Sequence, residues 1–413
     1  MVGCRQIRQT ACTIPNRMNF TIFYTQPDAA FWERYTRLWQ NSRHRSPFQS
    51  PSILRYYADR NKDNVAVFQC ERGTELLGAV LFKRDTDHYS FLSDLKTDAN
   101  FFIVHRDCTA DETRLFFKKL LETIHRENWA LMLNHKPAWA GYMDELESVI
   151  QQSPLYAMSL DYSVCPIVEA DTPEALFKEV SASRNTRYKL NKFVKQENGS
   201  FEVFTDDTDL DQWAEDFCSA HVLRWAPTPT PSAYRDPARR EFLRNCLHAW
   251  QADGVLARFA LRTDKGRVGL MVGLLEGDTL IYHTPTFHPD CAHVSPGRVL
   301  IYYITQWMAE NGLNRLDFGD GNEPYKYYVA SKDQVLRRIF LSRKSNLRFI
   351  LKTRFIKAVR ENPTVFQVYQ NKIKPLYRNL KWRVSAMFTL TFCLNCTEFF
   401  VSEEQQLLCL LGV

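Results

Sequence analysis

The chain has 413 residues, of which 45% are hydrophobic and 24% charged, and it carries a net charge of +6. This balance is typical of a folded globular protein and excludes a disordered chain. The length predicts two or three domains. The small positive charge permits an anionic ligand, but a nucleic-acid binder of this size usually has a much larger surplus.

The eleven cysteines follow no regular spacing, apart from a single pair at Cys393 and Cys396. One such pair without a second pair or histidine partners does not predict zinc, and scattered thiols favour a reducing compartment. The first twenty residues contain no apolar run of signal-peptide length. No segment reaches the roughly 18 to 20 uninterrupted apolar residues of a membrane span. We therefore expect a soluble, cytoplasmic protein without a bound metal.

The first half of the chain predicts a mixture of strands and amphipathic helices. Thr109 with Glu112 forms the pattern of a capping box, which marks the start of its longest helix. In chain order, the predicted elements are helices over 29–38 and 53–58, strands over 65–70, 77–83, 89–92 and 101–105, a helix over 110–127 and a strand over 130–133.

The second half repeats this order at larger scale, which predicts tandem copies of one α/β unit. The alternative is one α+β domain with a long first subdomain. A basic helical tail is expected from residue 346 onward, with Leu347, Ile350, Leu351, Phe355 and Val359 as its apolar face. The predicted elements are a strand over 162–168, helices from 172 and over 185–196, a strand over 201–204, helices over 210–223 and 238–252, strands over 255–262, 267–276 and 279–285, a helix over 297–311 and a strand over 315–318.

The densest concentration of chemically useful residues lies between Tyr282 and Val329. Ser295, Gly297 and Arg298 stand where a loop enters a helix. Glycine there lets backbone N–H groups approach a ligand, and the positive end of the helix attracts a pyrophosphate. We therefore predict that these three residues bind a phosphate-bearing ligand.

The segment LDFGDGNEPYK directly follows a predicted strand and combines acids, glycines, a tyrosine and a lysine. Asp317 or Glu323 could accept a proton from a bound amine, and Tyr325 could return one to a leaving group. Lys326 could pair with these acids or bind an anion. His283 lies on the preceding strand as a further candidate base, with a structural role as the alternative.

The second half, from about Asp161 to Arg343, resembles the acetyltransferases associated with cellulose biosynthesis (CelD/BcsL-like). These form a branch of the GNAT superfamily that is related in fold to FemAB-type aminoacyltransferases. The resemblance rests on the basic helix SRNTRYKLNKFVKQENG, the SPG helix entry and LDFGDGNEPYK. It implies an acyl-CoA co-substrate, an amine or hydroxyl acceptor on a small or glycan-linked molecule, no permanent cofactor, and an anion contact for Arg187.

The resemblance also implies two GNAT-like domains, each with a mixed, mostly antiparallel sheet flanked by helices. We expect a degenerate domain over 18–155, an acyltransferase domain over 160–345 and the basic tail over 346–413. One alternative is a FemAB-like transferase that uses aminoacyl-tRNA, the only case in which a nucleic acid is expected. Another is an inactive scaffold in envelope polysaccharide synthesis. The basic tail could in addition contact an anionic membrane surface.

Overall fold

The computed structural model describes residues 18–94, 97–228 and 231–362. They contain both strands and helices in each half of the chain, as the sequence predicts. The elements of the first half are β1 (Met18–Phe23), α1 (Ala29–Gln40), α2 (Pro51–Arg60), β2 (Val65–Arg72), β3 (Glu75–Arg84), β4 (Tyr89–Phe91), β5 (Ile103–Val104), α3 (Ala110–Arg126), β6 (Leu131–Pro137) and α4 (Met143–Gln152).

The second half begins with the longest strand of the described chain, and its elements continue to residue 361. They are β7 (Tyr156–Glu169), α5 (Pro173–Ser181), α6 (Arg184–Gln196), β8 (Ser200–Phe204), α7 (Leu210–Trp225), α8 (Pro237–Ala252), β9 (Leu256–Thr263), β10 (Gly266–Glu276), β11 (Thr279–Phe287), α9 (Pro296–Glu310), β12 (Arg315–Asp317), β13 (Lys332–Ser342) and α10 (Leu347–Glu361).

The strands form one continuous mixed sheet in the order β1-β2-β3-β4-β6-β13-β7-β12-β11-β10-β9-β8, with β5 paired to β3. The order from β1 to β6 is repeated in reverse from β12 to β8. Each half contains one parallel pair, β4 with β6 and β11 with β12, among antiparallel neighbours. This mirrored order confirms a tandem arrangement of two GNAT-like units.

The two units exchange their last strands. β7 continues the first unit along the chain but lies beside β12 of the second, while β13 continues the second unit and lies beside β6 of the first. β7 and β13 pair with each other over eleven residue positions, from Lys332 with Ile167 to Ser342 with Tyr156. The predicted division between 155 and 160 falls at the start of β7 and stays a prediction.

A second sign of the repeat lies just beyond each parallel pair. Tyr89 is opposite Leu131 in the first unit, and Thr279 is opposite Arg315 in the second. Four residues after Leu131 and Arg315 the backbone turns left-handed in both units, with φ of 51° at His135 and 66° at Gly319. Beyond this residue the two units differ, because β6 continues to Pro137, which pairs with Leu336 of β13, whereas β12 ends at Asp317.

Helices cover both faces of the second unit. Along β9, Leu256 and Ala260 belong to a core shared with the first unit, α7 and α8, whereas Ala257, Phe259 and Leu261 pack with α5, α6 and α9 on the other face. Such alternation is expected of a strand that is buried on both sides. Any site at the end of β11 or β12 is consequently enclosed by helices.

Three elements, β1, α4 and β13, were not predicted from the sequence. The segment of β13 does not read as a strand because Arg337 and Arg338 interrupt its apolar pattern. In the fold Arg337 pairs with Glu147, and the guanidinium of buried Arg338 lies 4.0 Å from the ring centre of Tyr162. Tertiary partners therefore allow two arginines in a central strand.

The predicted apolar face of the C-terminal helix is partly wrong. The buried side of α10 consists of Phe349, Ile350, Thr353, Ile356 and Val359. Leu347, Leu351 and Phe355 are exposed, because α10 turns toward β7 and β13, where the Thr353 hydroxyl lies 2.9 Å from that of Tyr156. The rest of the predicted tail, with Cys393 and Cys396, lies outside the described residues. None of the helices among residues 18–362 that the structure describes has the length and apolar character needed to cross a membrane.

Candidate active site

A cavity of about 650 Å³ lies between the start of α9, the second part of β11 and the chain that follows β12. We call it the α9 cavity. Ser183, Asn185 and Thr186, at the start of α6, form its outer wall. The lining of the cavity also includes Arg224, Tyr282, Thr286, Ser295, Gly297, Arg298, Tyr325 and Tyr328.

The first turn of α9 faces this cavity without a side-chain cap. Ser295 has a left-handed backbone (φ 55°), and its hydroxyl makes no capping hydrogen bond. Pro296 has no N–H, and a Cβ added to Gly297 would meet no atom within 4 Å. The positive end of α9 and the N–H of Gly297 are thus presented to a ligand, as an anion site at a helix start requires.

The cavity also contains a buried hydroxyl without a partner. The side chain of Thr286 is 1% exposed, and its oxygen makes no hydrogen bond within the part of the chain that the structure describes. A buried polar group is normally satisfied, so an orphan that lines a cavity indicates a ligand or water there. This observation supports the α9 cavity as a binding site independently of the helix start.

Two tyrosines and an arginine form the inner wall. Burial raises the pKa of Tyr282 and of Tyr325 above the ordinary tyrosine value, so both stay protonated at neutral pH. Burial lowers the pKa of Arg224. Its Nη1 donates a 3.4 Å hydrogen bond to the carbonyl of Pro285, and its guanidinium lies 4.3 Å from the ring centre of Phe287.

His283, next to Tyr282 on β11, is the extra residue of a β-bulge. Thr284 is opposite Val272 while Tyr282 is opposite Gly273, which leaves His283 without a partner in the ladder. Bulges re-aim side chains and occur near active sites. Nδ1 of His283 lies 2.8 Å from Oδ2 of Asp98, a residue of the first unit. This His–Asp dyad therefore joins the two units beside the α9 cavity.

A second cavity, of about 520 Å³, lies at the junction of the two units. We call it the junction cavity. Asp98 and Asp317 line it together with Glu276 and Arg315. Burial is the main cause that raises the pKa of Asp317 to about 6 and that of Glu276 to about 7. The other ionisable side chains around it are those of Arg43, His44, Arg45, Arg106 and Asp278, and burial lowers the pKa of His44 to about 4.

Comparison with known protein families gives one decisive match. Residues 181–327 match the family model described as an acetyltransferase (GNAT) domain. The chain contains a GNAT acetyltransferase domain. It is therefore an acyltransferase, and the matched segment includes α9 and the LDFGDGNEPYK turn. No curated protein matches the chain over its sequence.

The fold of the chain is similar to several solved structures at low identity. FemX is 11% identical with a TM-score of 0.54, over 77% of this chain and 98% of that chain. L-PGS from Bacillus licheniformis is 11% identical with a TM-score of 0.52, over 80% and 97%. The C-terminal domain of a putative lysylphosphatidylglycerol synthetase from Agrobacterium fabrum is 12% identical with a TM-score of 0.50, over 79% and 96%.

Within the GNAT domain, Lys326 lies beneath the glycine turn and not in either cavity. Its Nζ donates to the carbonyl oxygens of Gly319, Asp320 and Gly321 at 3.3, 2.7 and 3.2 Å and pairs with Glu323 at 2.9 Å. Both side chains are buried, which leaves no room for an outside ligand. The structure therefore assigns Lys326 and Glu323 to holding the turn.

The neighbouring acids of the turn face the first unit. Burial alone would raise the pKa of Asp320, but hydrogen bonds from His135 and Ser163 lower it. Oδ1 of Asp317 accepts a 2.8 Å hydrogen bond from the N–H of Gly319. A Cβ added to Gly319 would lie 2.7 Å from Oδ2 of Asp98. The turn thus places Asp317 and Asp98 side by side at the junction cavity.

The nine site residues predicted from sequence therefore lie in several places. Ser295, Gly297, Arg298 and Tyr325 share the α9 cavity, Asp317 lines the junction cavity, and His283 stands between the units. Arg187 lies outside both cavities, where its guanidinium donates to the carbonyls of Ser181 and Ala182. No site role was predicted from the sequence for Arg224, Tyr282 or Thr286.

Proposed function

We propose that the protein transfers an acyl group from acyl-CoA to an amine or hydroxyl of a small or glycan-linked acceptor. The observation that carries the proposal is the uncapped start of α9, which opens on a cavity inside a matched GNAT domain. The positive end of α9 and the N–H of Gly297 would hold a donor phosphate. Arg298 lines the same cavity and adds positive charge.

The acyl end of the donor would lie along β11, between Tyr282 and Tyr325. The acceptor atom attacks the thioester carbon, the C–S bond breaks, and the thiolate leaves with the bonding electrons. Tyr325 stays protonated at neutral pH because burial raises its pKa, and since this also makes it a weaker acid, its hydroxyl would stabilise that thiolate by donating a hydrogen bond. Most of the acceleration would come from positioning the two substrates.

The acceptor would approach from the junction cavity. Ile281, which lines that cavity, and Tyr282, which lines the α9 cavity, are consecutive on β11 and point to opposite faces of the sheet, so the two substrates would meet where the pairing of β11 with β12 ends, at Ile281 and Asp317. His283 would take the proton of the acceptor, and Asp98 would stabilise the imidazolium that results. Asp317 contributes a carboxyl group near the same position. In this proposal the first unit supplies part of the acceptor site.

Calorimetric titration with acetyl-CoA and with a long-chain acyl-CoA tests the donor site. Gly297→Trp should abolish binding, since a side chain at Gly297 meets no protein atom within 4 Å and would project into the cavity. Ala110→Trp is the matched control, because Ala110 is the exposed first residue of α3, the corresponding helix of the first unit. It should bind as the wild type does.

If Gly297→Trp bound the thioesters as tightly as the wild type, the donor would not bind at the start of α9. Failure of the wild type to bind either thioester would favour the alternatives, a FemAB-like donor such as aminoacyl-tRNA or a scaffold without activity. Transfer of a radiolabelled acyl group to any acceptor would exclude the scaffold. The closer kinship to the cellulose-associated acetyltransferases stays part of this proposal.

We propose the cytoplasm as the place of action. Cys70, Cys108, Cys165, Cys218, Cys246 and Cys291 are free and buried, as is usual where thiols are kept reduced.

A further inference from the structure

Arg224, near the end of α7, is a cation within a substrate cavity that lacks an anionic partner. Within residues 18–362 as described, no carboxylate lies within ion-pair distance of its guanidinium. Its hydrogen bond to Pro285 is long, at 3.4 Å, and its other contacts are with the rings of Phe287 and Trp225. Arginine has five N–H donors, so most of them remain for a ligand.

Arg267 is a buried arginine with a structural role, and its charge is compensated by carboxylates. Its guanidinium pairs with Glu202, Asp209 and Asp216, at distances of 2.8, 2.6 and 3.0 Å. Removing a charge from water is costly unless a partner compensates for it. Arg267 has three such partners, and fully buried Arg258, which has no carboxylate partner in the described chain, donates to the carbonyls of Asp206 and Thr208 at 2.7 Å. Arg224 has one long hydrogen bond and lines a cavity, which indicates that a ligand completes its hydrogen bonding.

The groups around Arg224 are suited to an anion. Arg224 bonds to the carbonyl of Pro285 and stacks on Phe287, the two residues that flank Thr286. The Thr286 hydroxyl is buried, lacks a partner in the described chain and lines the same cavity. Tyr282 and Tyr325 add two protonated hydroxyl groups. The one acidic side chain that lines this cavity among the described residues is Glu179, which is exposed.

We propose that Arg224 and Thr286 form a subsite for an anionic group of the donor, a carboxylate or a phosphate. A carboxylate would come from the far end of a dicarboxylic acyl chain, and a phosphate from the nucleotide part of CoA. The subsite rests on the proposed function, because it assumes that the donor occupies the α9 cavity. It gives the enzyme a preference for one class of donor.

The test measures dissociation constants for acetyl-CoA, succinyl-CoA, acetyl-pantetheine and succinyl-pantetheine. The pantetheine thioesters lack the phosphates, so the four ligands separate the two sources. The variants are Arg224→Met, which keeps the length without the charge, and Arg224→Lys, which keeps the charge. Arg244→Met, on the exposed side of α8, is the matched control and should change none of the four.

A carboxylate subsite predicts that Arg224→Met weakens both succinyl thioesters about tenfold or more and leaves acetyl-pantetheine unchanged. A phosphate subsite predicts the same loss for both CoA thioesters and none for the pantetheine thioesters. In each case Arg224→Lys should recover part of the affinity. Changes below about twofold for all four ligands in Arg224→Met, with normal binding by the wild type, would overturn the subsite but not the donor site.

Absence of binding by the wild type would instead contradict the proposed function. Thermal melting then tests the subsite alone, with succinate and pyrophosphate as probes. Either anion should raise the melting temperature of the wild type and of Arg244→Met more than that of Arg224→Met. Equal shifts in all three proteins would show that Arg224 binds no anion.

Discussion

At the scale of single residues, both the fold and the proposed chemistry require that Gly319 has no side chain. Its φ of 66° and the 2.7 Å approach of Asp98 both oppose a Cβ. We expect Gly319→Ala to displace the Asp98 carboxylate and to break its hydrogen bond to His283. Acyl transfer should fall about tenfold or more, with donor affinity unchanged, as steady-state kinetics and calorimetry would measure.

The matched control for Gly319→Ala is Gly73→Ala. Gly73 has a similar φ of 61° in the β2–β3 turn, but a Cβ there meets nothing within 4 Å. It should therefore lose the same ~1 kcal/mol of backbone stability without losing activity. If both variants lost activity to the same extent, the loss could not be attributed to the contact between residue 319 and Asp98.

Asp317 should make stability depend on pH in an unusual direction for a carboxyl group. Its pKa is about 6 in the fold, above its ordinary value of 3.8, so the folded state binds the proton more tightly. The stability that this proton contributes is complete below about pH 4 and is lost as the pH rises through 6. We expect Asp317→Asn to gain about 2 kcal/mol on the wild type between pH 4.5 and pH 7.5.

Urea unfolding at these two pH values measures the effect. Asp278→Asn, an exposed carboxyl group at the same cavity, is the control and should show a difference that does not vary with pH. A flat difference for Asp317→Asn as well would mean that this carboxyl group is already ionised in the fold at pH 4.5.

The sequence predicted the residues whose role depends on local structure. Ser295, Gly297 and Arg298 could be predicted to lie together because a glycine at a helix start is visible in the chain itself, and their binding role stays a prediction. Arg224 was not, because HVLRWAP reads as an ordinary helix end and the lack of a partner exists only in three dimensions. Lys326 was found, but its buried bonds to three carbonyl oxygens could not be inferred from spacing.

At the scale of elements, the starts of α3 and α9 differ although they occupy corresponding places. Thr109 and Glu112 form a complete capping box on α3, whereas Ser295 makes no cap on α9. We expect Thr109→Ala to cost ~1 kcal/mol of unfolding free energy and Ser295→Ala nearly none. Chemical denaturation of both variants measures this. An equal loss would mean that Ser295 caps α9 in solution.

Most helices and hairpins could be predicted because their hydrophobic periodicity, capping residues and turn residues lie within short segments of the sequence. α1, α3 and α7, for example, begin at the predicted residues. β13 could not, since its two central arginines are compensated by Tyr162 and Glu147, which are far away in sequence. The predicted strand over 101–105 shortens to the two residues of β5, which pair only with Gly78 and Ala79 of β3.

At the scale of the whole molecule, the exchanged strands make the two units depend on each other. The first unit without β13 would expose the edge of β6, and an open edge favours aggregation. We expect residues 18–155 expressed alone to be insoluble or partly unfolded, and co-expression with residues 156–362 to restore a folded complex. Size-exclusion chromatography and circular dichroism measure the outcome. A soluble 18–155 fragment with one cooperative melting transition would contradict this dependence.

Because β13 lies near the end of the described chain, the first unit cannot be completed until late in translation. A ribosome adds residues in order, so β6 is finished about two hundred residues before the strand that covers its edge. Throughout that interval the nascent first unit has an unpaired β6 edge. Its completion waits for residue 342, which makes the nascent chain a natural client for a chaperone that shields unpaired strands.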